Sequence, residues 1–167
     1  MKSPLVELPI QTAAGEFTAR YSDNGLVRLK FPPALTASQH ATKGDSVPAK
    51  IRAWHRATGS ALKKILAGKL VNHLPPIDWC GATEFQQSVW RELLKIPTGK
   101  TKSYGEIAQA IGKPKAVRAV GGACGANPIP VLVPCHRILA ANHKLGGFSG
   151  GLARKRSLLA REGIVGL

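Results

Sequence analysis

Hydrophobic and polar positions alternate from Gly15 to Tyr21, which places Phe17, Ala19 and Tyr21 on one face of a predicted strand. Asp23-Asn24-Gly25 follows as a strong turn signal. Leu26 to Phe31 then alternates again, with Val27, Leu29 and Phe31 set against Leu26, Arg28 and Lys30. Residues 15–31 therefore read as a hairpin, stopped by Pro32-Pro33. Pro, Ala, Ser, Thr and Lys dominate 32–49, which reads as a flexible loop. Over 50–67 the spacing becomes helical, with Ile51, Trp54, Leu62, Ile65 and Leu66 as the core stripe and Gly68 at its end. Leu74-Pro75-Pro76-Ile77 begins a linker. A domain boundary near Gly81 divides the chain into residues 1–80, an N-terminal α/β domain with its linker, and residues 81–167.

The second half carries clearer helix signals. Thr83-x-x-Gln86 is a capping-box pattern ahead of Phe85, Val89, Trp90, Leu93 and Leu94 at helical spacing. Ser103-x-x-Glu106 is a second capping box, opening a short helix with Ile107, Ala108 and Ile111, closed by Gly112. Pro114 suits the first turn of a third helix, Lys115 to about Gly125. Two short helices joined by a tight turn make a helix-turn-helix candidate. The third helix is rich in Gly and Ala, which weakens a helix but lets its backbone approach a partner. Arg118 is the one long side chain within that run. Ile138 to Ala141 is expected to pair with Lys144 to Phe148 around Asn142-His143. His143 there must be strained or the turn of another type, since glycine is usual at that position. A last helix runs from Leu152 to Glu162, with Leu158 and Leu159 facing inwards.

The most informative chemistry is Pro134-Cys135-His136-Arg137, behind the apolar run Val131-Leu132-Val133 and the rigid Asn127-Pro128-Ile129-Pro130. A cysteine beside a base on a stiff backbone is the arrangement of a held nucleophile, and neighbouring positive charge favours its thiolate. Lys and Arg total 24 against 9 acids in 167 residues, a formal charge of +15 that calls for a polyanionic partner. With 44% hydrophobic residues, the chain is not a disordered one. No stretch approaches the roughly 20 apolar residues of a membrane span. Met1 to Glu7 lacks an apolar signal core, so a cytoplasmic protein with no membrane partner is expected. Cys80, Cys124 and Cys135 are odd in number and contain no CxxC pair, which argues against a disulfide framework. The spacing of His40, His55 and His73 gives no metal site.

Taken in order, these motifs resemble the O6-alkylguanine-DNA alkyltransferase (methylated-DNA–protein-cysteine methyltransferase) family. The residues that carry the resemblance are Phe85-Gln86-x-x-Val89-Trp90, Ile96-Pro97-x-Gly99, Ser103-Tyr104-x-x-Ile107-Ala108, Arg118-Ala119-Val120-Gly121, Asn127-Pro128, Pro134-Cys135-His136-Arg137, Gly150-Gly151, Lys155 and Leu158-Leu159-x-x-Glu162-Gly163. The resemblance implies an α+β chain: a small ribonuclease-H-like α/β domain, then a largely helical domain with a winged-helix-like helix-turn-helix. It also implies suicidal DNA repair, in which Cys135 takes the alkyl group from O6-alkylguanine, with O4-alkylthymine a further candidate substrate. His136 would act on the thiol through a water, held by Glu162. Asn127 would brace the turn and Arg137 support it. Tyr104 would meet the flipped base. Arg118 would fill the hole in the base stack, with Lys115, Ala119 and Gly121 at the DNA. Ile138, Phe148, Ser149 and Lys155 would form the substrate pocket.

No metal or organic cofactor is expected, because the protein itself accepts the alkyl group. The expected partner is double-stranded DNA containing O6-alkylguanine, met by a monomer, cytoplasmic and nucleoid-associated in a prokaryote or nuclear in a eukaryote. The chain departs from the family pattern at Phe148, where tyrosine is common, at His143 and at Cys124. These departures bear on pocket shape rather than on the reaction. Two other classes remain open to the sequence: a non-enzymatic alkyltransferase-like binder of alkylated DNA, against which Cys135 speaks, and a cysteine–histidine hydrolase, which needs neither the helix-turn-helix nor the charge.

Overall fold

The computed structural model describes residues 5–33 and 47–167. Three antiparallel strands, β1 (Val6–Thr12), β2 (Gly15–Tyr21) and β3 (Leu26–Lys30), form a meander in the order β1-β2-β3. The β2–β3 hairpin lies where the alternation predicts it, with Phe17, Ala19 and Tyr21 all buried. On β3 the strict alternation fails. Leu26 and Leu29 are both buried, because the register slips by one residue at Arg20/Tyr21 and turns Leu26 inwards. Strand β1 was not legible from the pattern. Its seven residues include Pro9 and only Ile10 is fully buried, so it reads as polar edge rather than strand.

Helix α1 (Ala49–Leu66) lies against β1, burying Ile51, Leu62, Ile65 and Leu66 while Trp54 is half-buried. The buried Tyr21 hydroxyl donates to Thr58 Oγ1 at 2.9 Å, fixing the sheet to this helix. Of the loop expected over 32–49, residues 34–46 lie outside the described residues, as does His40. The linker then runs beside β3. Leu26 N–H donates to the Pro76 carbonyl at 2.8 Å and Asp78 N–H to the Leu26 carbonyl at 2.9 Å. Gly25 permits this contact: its φ is +153°, and a Cβ there would stand 2.4 Å from the Pro76 oxygen.

Both predicted capping boxes are present. Thr83 and Gln86 open α2 (Glu84–Leu94), and Ser103 and Glu106 open α3 (Tyr104–Ala110). Leu94, read as core, is exposed, because it sits past the buried stripe of Val89, Trp90 and Leu93. Helix α4 (Val117–Gly125) begins two residues later than predicted, with Lys113–Ala116 forming a turn before it. Trp90 Nε1 donates to the Ala123 carbonyl at 2.8 Å and so ties α4 to α2. The expected hairpin after the cysteine is only a tight loop. Ala140 N–H donates to the Lys144 carbonyl, and Asn142 and His143 both take φ of 57°. Ile138–Leu139 (β5) instead pairs in parallel with Lys102–Ser103 (β4). Helix α5 (Leu152–Arg161) closes the fold with Leu158 and Leu159 inwards and Glu162 at its C-terminal cap.

One continuous core runs from the sheet and α1 through α2 and α4 to the cysteine segment. Leu29 N–H donates to the Pro128 carbonyl at 2.9 Å, so the sheet edge supports the turn that carries the site.

Candidate active site

The turn from Asn127 to Cys135 is built to hold its end still. Asn127 is buried and uses its whole side-chain amide across the turn. Its Nδ2 donates to the Val133 carbonyl at 2.8 Å and to Cys135 Sγ at 3.1 Å, while its Oδ1 accepts from Ile129 N–H at 3.0 Å. Val131 sits at φ of 74°, a costly conformation for a β-branched residue that the surrounding prolines and bonds enforce. Cys135 then opens a single 3₁₀ turn with His136 and Arg137, all three buried.

The charge behind the cysteine is arranged around Glu162, whose side chain is 1% exposed. His136 Nε2 lies 3.0 Å from Glu162 Oε1. Arg137 grips the same carboxylate with two nitrogens, Nε at 3.0 Å from Oε2 and Nη2 at 2.9 Å from Oε1, and Gly99 N–H adds a donor at 3.2 Å. Arg137 Nη1 donates onward to the Ile96 carbonyl at 2.6 Å and Nη2 to Thr98 Oγ1 at 3.2 Å. Burial pushes the Glu162 carboxyl up, but the hydrogen bonds and charges of His136 and Arg137 outweigh it and bring it down to about 2. Burial holds His136 below its ordinary value despite Glu162. A neutral imidazole facing an ionised carboxylate carries its proton on Nε2. His136 Nδ1 is therefore an acceptor, and it is buried without a partner among the described residues.

Cys135 lies on a cavity of about 110 Å³, whose walls are Tyr104, Gly121, Cys124 and Gly125 on one side and Gly147, Phe148 and Ser149 on the other. Burial raises the Cys135 thiol, opposed by the Asn127 hydrogen bond and the Lys155 charge. Burial and the neighbouring Cys135 lift Cys124 to about 12. Tyr104 is likewise raised, by burial first and then by the two thiols. The Phe148 ring meets Phe31 edge-on at 5.9 Å, and the Arg154 guanidinium sits over the Phe31 ring, 4.8 Å from its centroid. The end of the N-terminal sheet thus backs one wall of the cavity.

Lys155 and Ile138 stand behind this cavity rather than in its lining. Lys155 is fully buried and its Nζ donates to the carbonyls of Ile138 at 2.5 Å, Leu145 and Gly147 at 3.2 Å. It staples the loop that presents Gly147 and Phe148. Arg118, Lys115 and Ala119 are exposed on or just before α4, away from its buried residues Val120, Ala123 and Cys124. Gly121 lies on the cavity side of the same helix. The reading of the sequence underweighted Arg137, whose signal was its adjacency to His136. The Gly99 amide, a backbone donor, has no side-chain signature, while Cys124, expected to bear on pocket shape, lines the same cavity as Cys135.

Comparison with known proteins gives a consistent picture. The family described as "6-O-methylguanine DNA methyltransferase, DNA binding domain" matches residues 84–164. The methylated-DNA–protein-cysteine methyltransferase of Mycobacterium leprae is 52% identical over 103 residues, 62% of each chain. The inducible methylated-DNA–protein-cysteine methyltransferase of Bacillus subtilis is 48% identical over 101 residues, 60% of this chain and 56% of the relative. The match spans less than two thirds of these curated relatives' length. Among solved structures, the O6-methylguanine methyltransferase of Mycobacterium tuberculosis superposes with a TM-score of 0.73 at 36% identity, covering 95% of this chain and 93% of that one. The Mycobacterium tuberculosis OGT in complex with DNA gives 0.71 at 39% identity, covering 93% and 91%.

Proposed function

Because the chain belongs to the O6-methylguanine-DNA methyltransferase family, we propose that it repairs DNA by moving the alkyl group of O6-alkylguanine irreversibly onto Cys135. The observation that carries this reading is one arrangement: a thiol on the cavity, an amide donor 3.1 Å from its sulfur, and, next in the chain, a buried histidine paired with Glu162. At rest the buried thiol is protonated. Its proton passes to His136 Nδ1 through a water between them, and Glu162 stabilises the imidazolium that results. Asn127 Nδ2 and the Lys155 ammonium favour the thiolate. The sulfur attacks the alkyl carbon as the carbon–O6 bond breaks, and the electron pair leaves with guanine. The proton taken from the thiol is returned to the base, which becomes ordinary guanine. The product thioether is a poor leaving group, so each molecule reacts once.

The base must leave the duplex to reach a buried thiol. Tyr104, Gly121 and Gly147 leave room for its flat ring beside the sulfur. Arg118 projects from the exposed face of α4, where it would fill the vacated place in the stack, with Lys115 and Ala119 at the backbone. Ser149 at the cavity rim would approach O6, and the carbonyl-bearing segment at Ile138 would border the base. On this reading residues 1–80 are a supporting domain of ribonuclease-H-like topology and 81–167 the DNA-binding and transfer domain with a winged-helix-like arrangement. The protein acts as a monomer on double-stranded DNA. No helix among the described residues is long and apolar enough to cross a membrane. The test is a titration of duplex containing O6-methylguanine with the protein. Restored guanine should equal the protein added and then stop. Continued turnover, or binding with no restored guanine, would overturn the proposal.

A further inference from the structure

Most of the positive charge lies off the helix-turn-helix. Residues 102–125 hold four Lys and Arg against one acid, whereas α1 holds five and no acid. Helix α1 packs its apolar stripe on β1 and turns its other side to solvent, with Lys50, Arg52, Arg56, Lys63 and Lys64 all exposed. At the α-helical 100° per residue, Arg52, Arg56 and Lys63 fall within about 40° of one another and run for about 16 Å along the axis. Lys64 extends the arc, which lies opposite the stripe of Ile51, Thr58, Leu62 and Ile65. Lys50 pairs with Asp23 at 3.5 Å. No carboxylate pairs with Arg52, Arg56, Lys63 or Lys64 among the described residues, although Arg52 donates one bond to the Val47 carbonyl at 2.8 Å.

Helix stability does not account for this pattern. Lys63 and Lys64 in the last turn complement the helix dipole, but Lys50 and Arg52 sit in or next to the first turn, where acids are favoured and none is present. The N-terminus also lacks a side-chain cap. A local electrostatic cost is thus retained on a surface that no other part of the described chain covers.

We infer that the outer face of α1 is a second polyanion-binding surface, which takes the phosphate backbone of a duplex other than the one held by α3 and α4. The spacing fits a row of phosphates: a run of about 16 Å spans several phosphates of one strand, which recur about every 3.4 Å along the axis. The side chains that flank the row, Ala53, Ser60 and Ala67, are small enough to let a backbone approach. No base-reading group accompanies the cations, so binding is independent of sequence and steep in salt. The protein can therefore bridge two DNA segments, one read for damage and one held by charge.

The experiment mixes donor-labelled and acceptor-labelled undamaged duplexes with the full chain and reads energy transfer between them. Methyl transfer from a lesion duplex is measured in parallel with the same protein, so that failure of bridging and failure of the repair reading are told apart. Wild-type protein should bridge, and affinity for the second duplex should fall about 100-fold between 50 and 200 mM salt if four phosphates are neutralised. R52A/R56A/K63A/K64A should weaken bridging at least about tenfold while methyl transfer stays within about twofold. R52K/R56K, which keeps the charge, should bridge like wild type. If the fourfold variant fails to fold, R56Q/K63Q, which breaks no side-chain hydrogen bond among the described residues, should still weaken bridging at least about threefold. Absence of bridging by wild type, or bridging by the alanine or glutamine variants at wild-type strength, overturns the inference. So does a dependence on these residues seen only with phosphatidylglycerol vesicles, which would assign the face to a membrane surface.

Discussion

Replacing Glu162 by Gln is the most searching change to the site, because this carboxylate ties His136, the base in the proposed mechanism, to the fold. It collects donors from His136, Arg137 and Gly99 within 3.2 Å. Gln keeps the shape and loses the charge. A hydrogen bond to a charged group contributes about 1.5–3 kcal/mol, and His136 needs that contribution only once it is protonated. The barrier to transfer should rise by that amount, slowing it about 10- to 150-fold. The same change leaves the buried Arg137 guanidinium without its counter-charge, at a cost of about 3–5 kcal/mol in stability. Acid behaviour supplies an independent sign. Because the folded carboxyl lies at about 2, below its ordinary 4.5, its stabilisation is complete above 4.5 and is lost as pH falls from there through about 2. Glu162→Gln should lack that part of the acid transition. The assay is single-turnover transfer from O6-benzylguanine against pH for Glu162→Gln, His136→Gln and the double variant, at a temperature where far-UV circular dichroism shows each folded. The double variant should be little slower than the worse single one, since the two residues act as a unit. A folded Glu162→Gln that transfers at the wild-type rate, or fully additive losses, would refute the coupling and leave Glu162 a structural anchor for Arg137.

Other predictions follow from single contacts. Arg118→Ala should slow transfer from duplex at least about tenfold, because base opening costs a few kcal/mol, and leave free O6-benzylguanine nearly unaffected; equal slowing on both would remove Arg118 from base flipping. Asn127→Ala removes the donor to Cys135 Sγ, so the thiol should rise further and iodoacetamide labelling at neutral pH should slow, an effect that shrinks as pH increases; an unchanged labelling profile would show that the amide only braces the turn. Gly68→Ala should both destabilise the protein and slow transfer, because φ there is +69° and a Cβ would lie 2.0 Å from the Arg161 carbonyl, the residue before Glu162. Loss of thermal stability with an unchanged transfer rate would show that the end of α1 does not govern the position of Glu162.

What the sequence made legible follows from which signals are local. The two capping boxes, Thr83/Gln86 and Ser103/Glu106, satisfy helix ends within four residues and were readable to the residue. The hairpin was readable because Asp23-Asn24-Gly25 sits between two alternating runs. Strand β1 was not, since it becomes a strand only by pairing with β2. The burial of Leu26 was not either, because it depends on a slip in the pairing of β2 with β3 that leaves Val27 unpaired. The same division holds in the site. Cys135, His136 and Arg137 are consecutive and announce themselves together. Glu162 reaches them only through the cap of α5, and in the sequence it was distinguished from a surface charge by resemblance alone. Lys155 looked like a pocket residue, yet folding turns its ammonium onto three carbonyls behind the pocket wall. A backbone amide such as that of Gly99 leaves no trace in a sequence.

The central claim is that Cys135 alone receives the alkyl group, although Cys124 faces the same cavity. Peptide mapping by mass spectrometry after reaction with duplex containing O6-methylguanine tests it directly. One methyl should appear on the peptide carrying Cys135 and none on those carrying Cys124 or Cys80, and Cys135→Ser should acquire no methyl while still binding the duplex. A methyl on Cys124 or Cys80, or methyl transfer that survives Cys135→Ser, would contradict the account.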